Sequence, residues 1–150
     1  GRLRCMTQLV GNGTFFMTYG DGVADIDVSD LLKFHKANGK LATVTAVRPP
    51  ARFGLLDING DLVTKFVEKP SVGEGWINGG FFVLEPGVID YIESEEVMFE
   101  RAPLAKLAED GELAAYRHQG FWQPMDTLRD VRFLKKLWHE DAPPWKVWDS

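Results

Sequence analysis

A single cysteine, Cys5, among 150 residues excludes an internal disulfide and any zinc site built on cysteine. Histidine is nearly as scarce: His35, His118 and His139 stand in no pattern with Ser, Cys or Asp that would make them catalytic, so each is expected to be a structural or surface residue. No apolar run approaches the roughly 18 residues that a membrane span needs, and no basic start with an apolar middle marks an export signal. No membrane partner and a cytoplasmic location are therefore expected. Basic side chains are the minority, 17 Lys and Arg against 22 Asp and Glu, for a net charge of -5. That balance argues against binding to nucleic acid or to an anionic lipid surface, so an anionic substrate must be met by a local basic site. The chain also lacks internal repeats, low-complexity tracts and an obvious linker, which leaves one domain over residues 1–150. Its first residue is Gly1, as in a processed product or a piece of something longer.

What is present suits a globular fold. Hydrophobic residues make up 45% and charged residues 26%, and a chain of this length buries roughly 70% of its unfolded surface. Residues 1–10 have helical spacing (Leu3, Met6, Val10) ahead of Gly11. The run FFMTY at 15–19 predicts a strand, and Val28, Leu31, Leu32 and His35 predict a helix over 29–38 that stops at Gly39. LATVTAV at 41–47 is rich in β-branched residues and ends at Arg48-Pro49-Pro50, so strand, helix and strand make a βαβ unit and a parallel sheet is expected. LLDI and LVTKFVEK flank Asn59-Gly60-Asp61, a hairpin expected to join that sheet. Residues 76–84 predict another strand, and Pro86 opens a helical stretch through Ile92. Pro103 and Gly111 bracket a helix over PLAKLAED. Strands are expected at 113–117 and at GFW. The last helix, about 127–139, puts Leu128, Val131, Leu134 and Trp138 on one face.

Four short stretches beside strand ends hold the residues able to do chemistry: YGD at 19–21, EKP at 68–70, NGG at 78–80 and PMDT at 124–127. Each has a plain structural reading. Asp21 fits a turn, Asp126 an N-cap, Lys69 a solvated strand end, and Asn78-Gly79-Gly80 a bend or bulge. Asp25 and Asp27 are expected to shape the entry to the helix that follows them.

Taken in order, TYGDGVADID, HKANGKLATVTAVRPPARFG, EKP, GWINGGFFVLEP and GFWQPMDTLRD resemble the sugar-1-phosphate nucleotidylyltransferases from about Phe16 onward. WINGGFFVLEP and FWQPMDTLRD resemble the cytidylyl branch of that family in particular. The resemblance implies an α/β fold, a partial Rossmann-like nucleotidyltransferase architecture with a mixed, mostly parallel sheet and flanking helices. It implies Mg²⁺ held on substrate phosphates by Asp21 and Asp126, which suits an ion that takes few protein carboxylates. Lys69 would hold the phosphate of the sugar phosphate and Glu68 would accept hydrogen bonds from sugar hydroxyls. Gly20, Gly54 and the bend Asn78, Gly79 and Gly80 would be backbone close to substrate. Trp122 is expected in the core rather than at the sugar.

The implied reaction transfers CMP from CTP to glucose 1-phosphate, giving CDP-glucose and pyrophosphate, for deoxysugar and surface polysaccharide synthesis. No protein nucleophile is needed, because the substrate phosphate is already ionised. The family opens with a strand and a glycine-rich loop that wraps the triphosphate, and nothing in the sequence matches it; GNGTFF at 11–16 precedes a strand instead of linking one to a helix. The chain therefore resembles the carboxyl-terminal part of such an enzyme, with an exposed strand edge through which a homo-oligomer is expected. Two other readings stand beside this one: a noncatalytic binding or oligomerisation module derived from the fold, and a uridylyl or thymidylyl transferase.

Overall fold

The computed structural model describes residues 2–6, 10–49, 55–67, 75–140 and 143–147. Its centre is a four-stranded sheet ordered β1-β6-β3-β7, where β1 is Phe15–Thr18, β3 Ala42–Val47, β6 Ile77–Leu84 and β7 Leu113–Arg117. β3 and β7 pair in parallel, whereas β6 runs antiparallel to both of its neighbours, β1 and β3. Three of the four strands thus point the same way, but only one of the three pairings is parallel, so the sheet is mixed as expected and not mostly parallel in its pairing. The βαβ unit is present as β1, α2 (Val28–Asn38) and β3, but β6 is inserted between its two strands.

Alternation along β6 explains how the sheet is covered. Phe82 and Leu84 face one core, with Phe15, Val88, Ile92, Phe99 and Leu107. Val83 faces another, with Ile26 and Leu31. A strand buried on both faces reads as a continuous apolar run, as GGFFVL does. The first face is closed by the 3₁₀ helix Pro86–Tyr91 and by α3 (Ala102–Glu109), the second by α2. Within the segment expected to be a helix over 1–10, α1 spans Arg2–Cys5. Arg4 there donates to the carbonyls of Ile92 (2.6 Å) and Glu93 (3.0 Å).

Local chemistry sets the helix ends. Asp27 caps α2, its carboxylate accepting from the N–H groups of Ser29 (2.8 Å) and Asp30 (3.1 Å), and Gly39 closes it in the left-handed region. The last helix, α4 (Leu128–His139), starts at Thr127 in a reciprocal box with Asp130. Thr127, not Asp126, is therefore the N-cap. Of the apolar face expected on α4 only Leu134 is buried; Leu128 and Trp138 are exposed.

One further expectation needs correcting. The hairpin β4 (Leu55–Asn59) and β5 (Leu62–Val67) turns at Gly60 as the sequence indicates, yet among the described residues it forms its own two-stranded sheet and does not join the central one. Of its described apolar side chains, Leu56, Ile58, Leu62, Val63 and Phe66 are exposed and Val67 is half-buried, so among the described residues no fully buried face fixes it to the main sheet. One ladder has no signal in the sequence beyond the strand expected at GFW. β2 (Gly22–Ala24) pairs antiparallel with β8 (Trp122–Pro124), and that pairing builds the site described next.

Candidate functional site

β1 ends at Thr18, Tyr19 donates its N–H to the Gly80 carbonyl (2.9 Å), and the chain turns through Gly20 and Asp21 into β2. Across the ladder Gly22 faces Pro124, and the Met125 N–H donates to the Asp21 carbonyl at 2.6 Å. Asp126 follows at once. The short β2–β8 ladder thus brings two aspartates from distant parts of the chain to one cavity of about 230 Å³, which Asn78, Gly79 and Trp122 also line. Both aspartates are exposed, so their carboxylates are open to solvent and to a ligand.

The Asn78-Gly79-Gly80 bend forms the floor. The β3–β6 register shifts between Val44 and Ala46 beside it, so the bend is a bulge in the central sheet. Gly80 lies at φ +79°, and a Cβ there would fall 2.6 Å from the Tyr19 ring. A Cβ on Gly79 would fall 2.8 Å from Val47 Cγ1 and 3.0 Å from the Thr45 carbonyl. Packing within the chain thus requires both glycines. Asn78 is a brace: Oδ1 accepts the Gly80 N–H (2.8 Å) and Nδ2 donates to the Tyr19 hydroxyl (2.9 Å). Half-burial, with the charge of Glu100 nearby, pushes that hydroxyl up to about 12, so it remains protonated at physiological pH.

Trp122, expected in the core, is half-buried in the wall of the cavity, where its Nε1 donates to the Gly79 carbonyl at 2.8 Å. The indole therefore ties β8, which leads to Asp126, to the floor of the bend.

Asp25 also departs from expectation. Its carboxylate does not shape the helix entry but lies 2.9 Å from His118 Nε2, forming a pair across the β2 and β7–β8 segments. His35 is buried and structural as expected, with Nδ1 at 2.8 Å from Thr43 Oγ1 and Nε2 at 3.2 Å from Glu85 Oε1. The His118–Asp25 pair joins residues far apart in sequence, and no local pattern announces it.

Gly54, Glu68 and Lys69 lie outside the described residues. Among the described residues no three His, Cys, Asp or Glu side chains gather as a metal cluster. Two carboxylates supply hard oxygen donors of the kind Mg²⁺ prefers, with phosphate oxygens and water left to complete its octahedron, so Asp21 and Asp126 fit that ion.

The nucleotidyl transferase family model matches residues 4–135. Glucose-1-phosphate cytidylyltransferase of Salmonella typhimurium is 52% identical over 150 residues, covering 99% of this chain and 58% of that protein. Mannose-1-phosphate guanylyltransferase catalytic subunit beta of Xenopus tropicalis is 31% identical over 140 residues, covering 87% of this chain and 39% of that one. In fold, the crystal structure of HddC from Yersinia pseudotuberculosis superimposes with a TM-score of 0.67 at 21% identity, over 91% of this chain and 60% of its own. The chain thus spans about 58% of the length of the Salmonella protein it matches.

Proposed function

This chain belongs to the nucleotidyl transferase family, and from that membership we propose that it carries the metal and sugar-phosphate half of a site that transfers CMP from CTP to glucose 1-phosphate. The observation that supports this most is the β2–β8 ladder, which sets Asp21 and Asp126 at one cavity at the carboxyl end of β1. Open α/β sheets hold their ligands at that end of their strands. The identity of 52% to the Salmonella glucose-1-phosphate cytidylyltransferase supports the choice of sugar phosphate and base.

In this reading a phosphate oxygen of glucose 1-phosphate attacks the α-phosphorus of CTP in line. One P–O bond forms, the bond to the β-phosphate breaks, and pyrophosphate leaves with its electron pair. Mg²⁺ held by Asp21 and Asp126 would neutralise charge on the phosphates. The chain's own part is positional. Asn78 and Tyr19 fix the bend under the cavity, Trp122 holds the Gly79 carbonyl, and the Met125–Asp21 backbone bond keeps the two aspartates together. Lys69 would offset charge on the sugar phosphate and Glu68 would accept from sugar hydroxyls.

Two further features belong to the proposal. β1 pairs on one side only among the described residues, and such an edge favours self-association. No described helix is long and apolar enough to cross a membrane, in keeping with work on phosphorylated substrates in the cytoplasm.

The test is pyrophosphate release with glucose 1-phosphate, Mg²⁺ and CTP, UTP or dTTP in parallel. Release with CTP that falls by about 10²-fold or more in Asp21→Asn is the expected result. Release with another nucleotide alone would overturn the base assignment. Without any release, Mg²⁺-dependent stabilisation by glucose 1-phosphate, abolished in Asp21→Asn, would still support the half-site; unchanged thermal stability would favour a noncatalytic module.

A further inference from the structure

In a chain of net charge -5, many basic side chains meet an acid: Lys33 pairs with Asp30, Lys36 with Glu85, Lys40 with Glu112, Lys136 with Glu140. Arg48 and Arg117 do not, among the described residues. They stand at the carboxyl ends of β3 and β7, adjacent parallel strands on which Arg117 is in register with Ala46. Both guanidinium groups converge on the Trp76 ring, with Cζ 5.0 Å from the centroid for Arg48 and 5.9 Å for Arg117.

The indole offsets part of each cation's charge, but two guanidinium groups drawn to one ring, neither paired with an acid among the described residues, still concentrate positive charge there. An oxyanion beside the pair would offset that charge, and the planar fork of Arg matches the geometry of phosphate oxygens. The position suits a ligand as well. Arg48 and Trp76 border a cavity of about 520 Å³ whose wall includes Phe121, Trp122 and Phe133. That volume lies within the roughly 300–1,000 Å³ of small-molecule sites. Of the described residues around it, only Trp122 also lines the cavity of Asp21 and Asp126, so its indole separates two sites along one edge of the sheet.

We propose that Arg48, Arg117 and Trp76 form a second anion site that takes a phosphate group, apart from the aspartate pair. The phosphate comes either as a free inorganic anion or on an ester whose organic part enters the aromatic cavity.

Calorimetric titration of the whole chain in chelator, which silences any divalent-ion site, tests this with inorganic phosphate, pyrophosphate and phenyl phosphate as probes. Saturable binding is expected for at least one probe, weakened about tenfold or more in the Arg48→Gln/Arg117→Gln double variant and unchanged in Asp21→Asn. Phenyl phosphate binding well above inorganic phosphate identifies an ester as the occupant; equal binding identifies the bare anion. Thermal midpoints without ligand establish that the double variant is folded. If it is not, Arg48→Lys/Arg117→Lys keeps the charge and loses the fork, and a several-fold weakening is expected there. Equal affinity in wild type and the charge-removing variant, loss of binding in Asp21→Asn, or no binding by the wild type would overturn the proposal. Activity at the aspartate pair is a separate measurement, so either result stands without the other.

Discussion

β6 and β5 draw on the same kinds of residue and meet opposite environments. FFVL in β6 is enclosed by helices on both faces, with Phe82 at 1% exposure, while in β5 Leu62 is 73% exposed and Phe66 61%. Apolar content alone did not separate them. The difference lies in neighbours: β6 has a strand on each side and a layer above and below, whereas among the described residues β5 pairs with β4 alone. Burial follows from how many elements converge on a strand.

The largest effect that would sharpen this contrast is expected at Phe82, which packs edge-on against Phe99 at 5.8 Å. Phe82→Ala should cost about 3–5 kcal/mol by urea denaturation, because a cavity opens where nothing can collapse into it. A cost near zero would mean that the central sheet is as loosely held as the hairpin.

Next comes a pair of glycines. Gly60 in the hairpin turn and Gly80 in the central sheet both lie in the left-handed region, at φ +58° and +79°. A Cβ at Gly60 meets nothing within 4 Å, whereas at Gly80 it strikes the Tyr19 ring. Gly60→Ala should therefore cost about 1–2 kcal/mol, from backbone strain alone. Gly80→Ala should cost about 1–3 kcal/mol more, from overpacking. Equal thermal shifts would sink the distinction.

A smaller effect is expected at Glu85, which ties the central sheet to α2 and to the segment before β1. Its carboxylate accepts from Lys36 (2.7 Å), Thr14 (2.8 Å) and His35 (3.2 Å), and Lys36 also donates to Thr14. Lys36 above all holds its carboxyl down at about 2, from an ordinary 4.5. A depressed carboxyl contributes stability that is present above pH 4.5 and lost as pH falls toward 2. Glu85→Gln should lower stability at pH 7 by about 1 kcal/mol and flatten the acid limb of the stability profile. An acid limb identical to wild type would show that this carboxylate is not the one titrating.

The smallest change is expected in the hairpin. Phe66→Ser should alter stability, measured by urea denaturation, by no more than about 0.5 kcal/mol, because the side chain is already largely exposed. A large loss would mean that the hairpin face is covered in solution.

Most of the element order was legible in the sequence, because local signals set it. Asp27 before an apolar-periodic run, Gly39 after it, Asn59-Gly60 between two apolar runs and Pro103 at a helix start each act within a few residues. Asp21 and Asp126 were also legible, as members of short stretches at strand ends. What no local pattern carried was the β2–β8 ladder. Three residues on each side give little period to read, and their partners are fixed only when the two ends of the chain meet. The placement of Trp122 against Gly79, the His118–Asp25 pair and the insertion of β6 between β1 and β3 have the same origin.

The sequence by itself determined most of the segments that become helix or strand, about where they stop, and which side chains have the donor chemistry for a metal or a phosphate. Capping, turn geometry and periodicity act over one or two turns of chain, and residue type fixes the donor chemistry. Only the tertiary structure decided which of those side chains share a cavity and which apolar strand is buried. Those outcomes depend on contacts between residues far apart in sequence, whose formation must overcome loop-closure entropy and which leave no period in the local sequence.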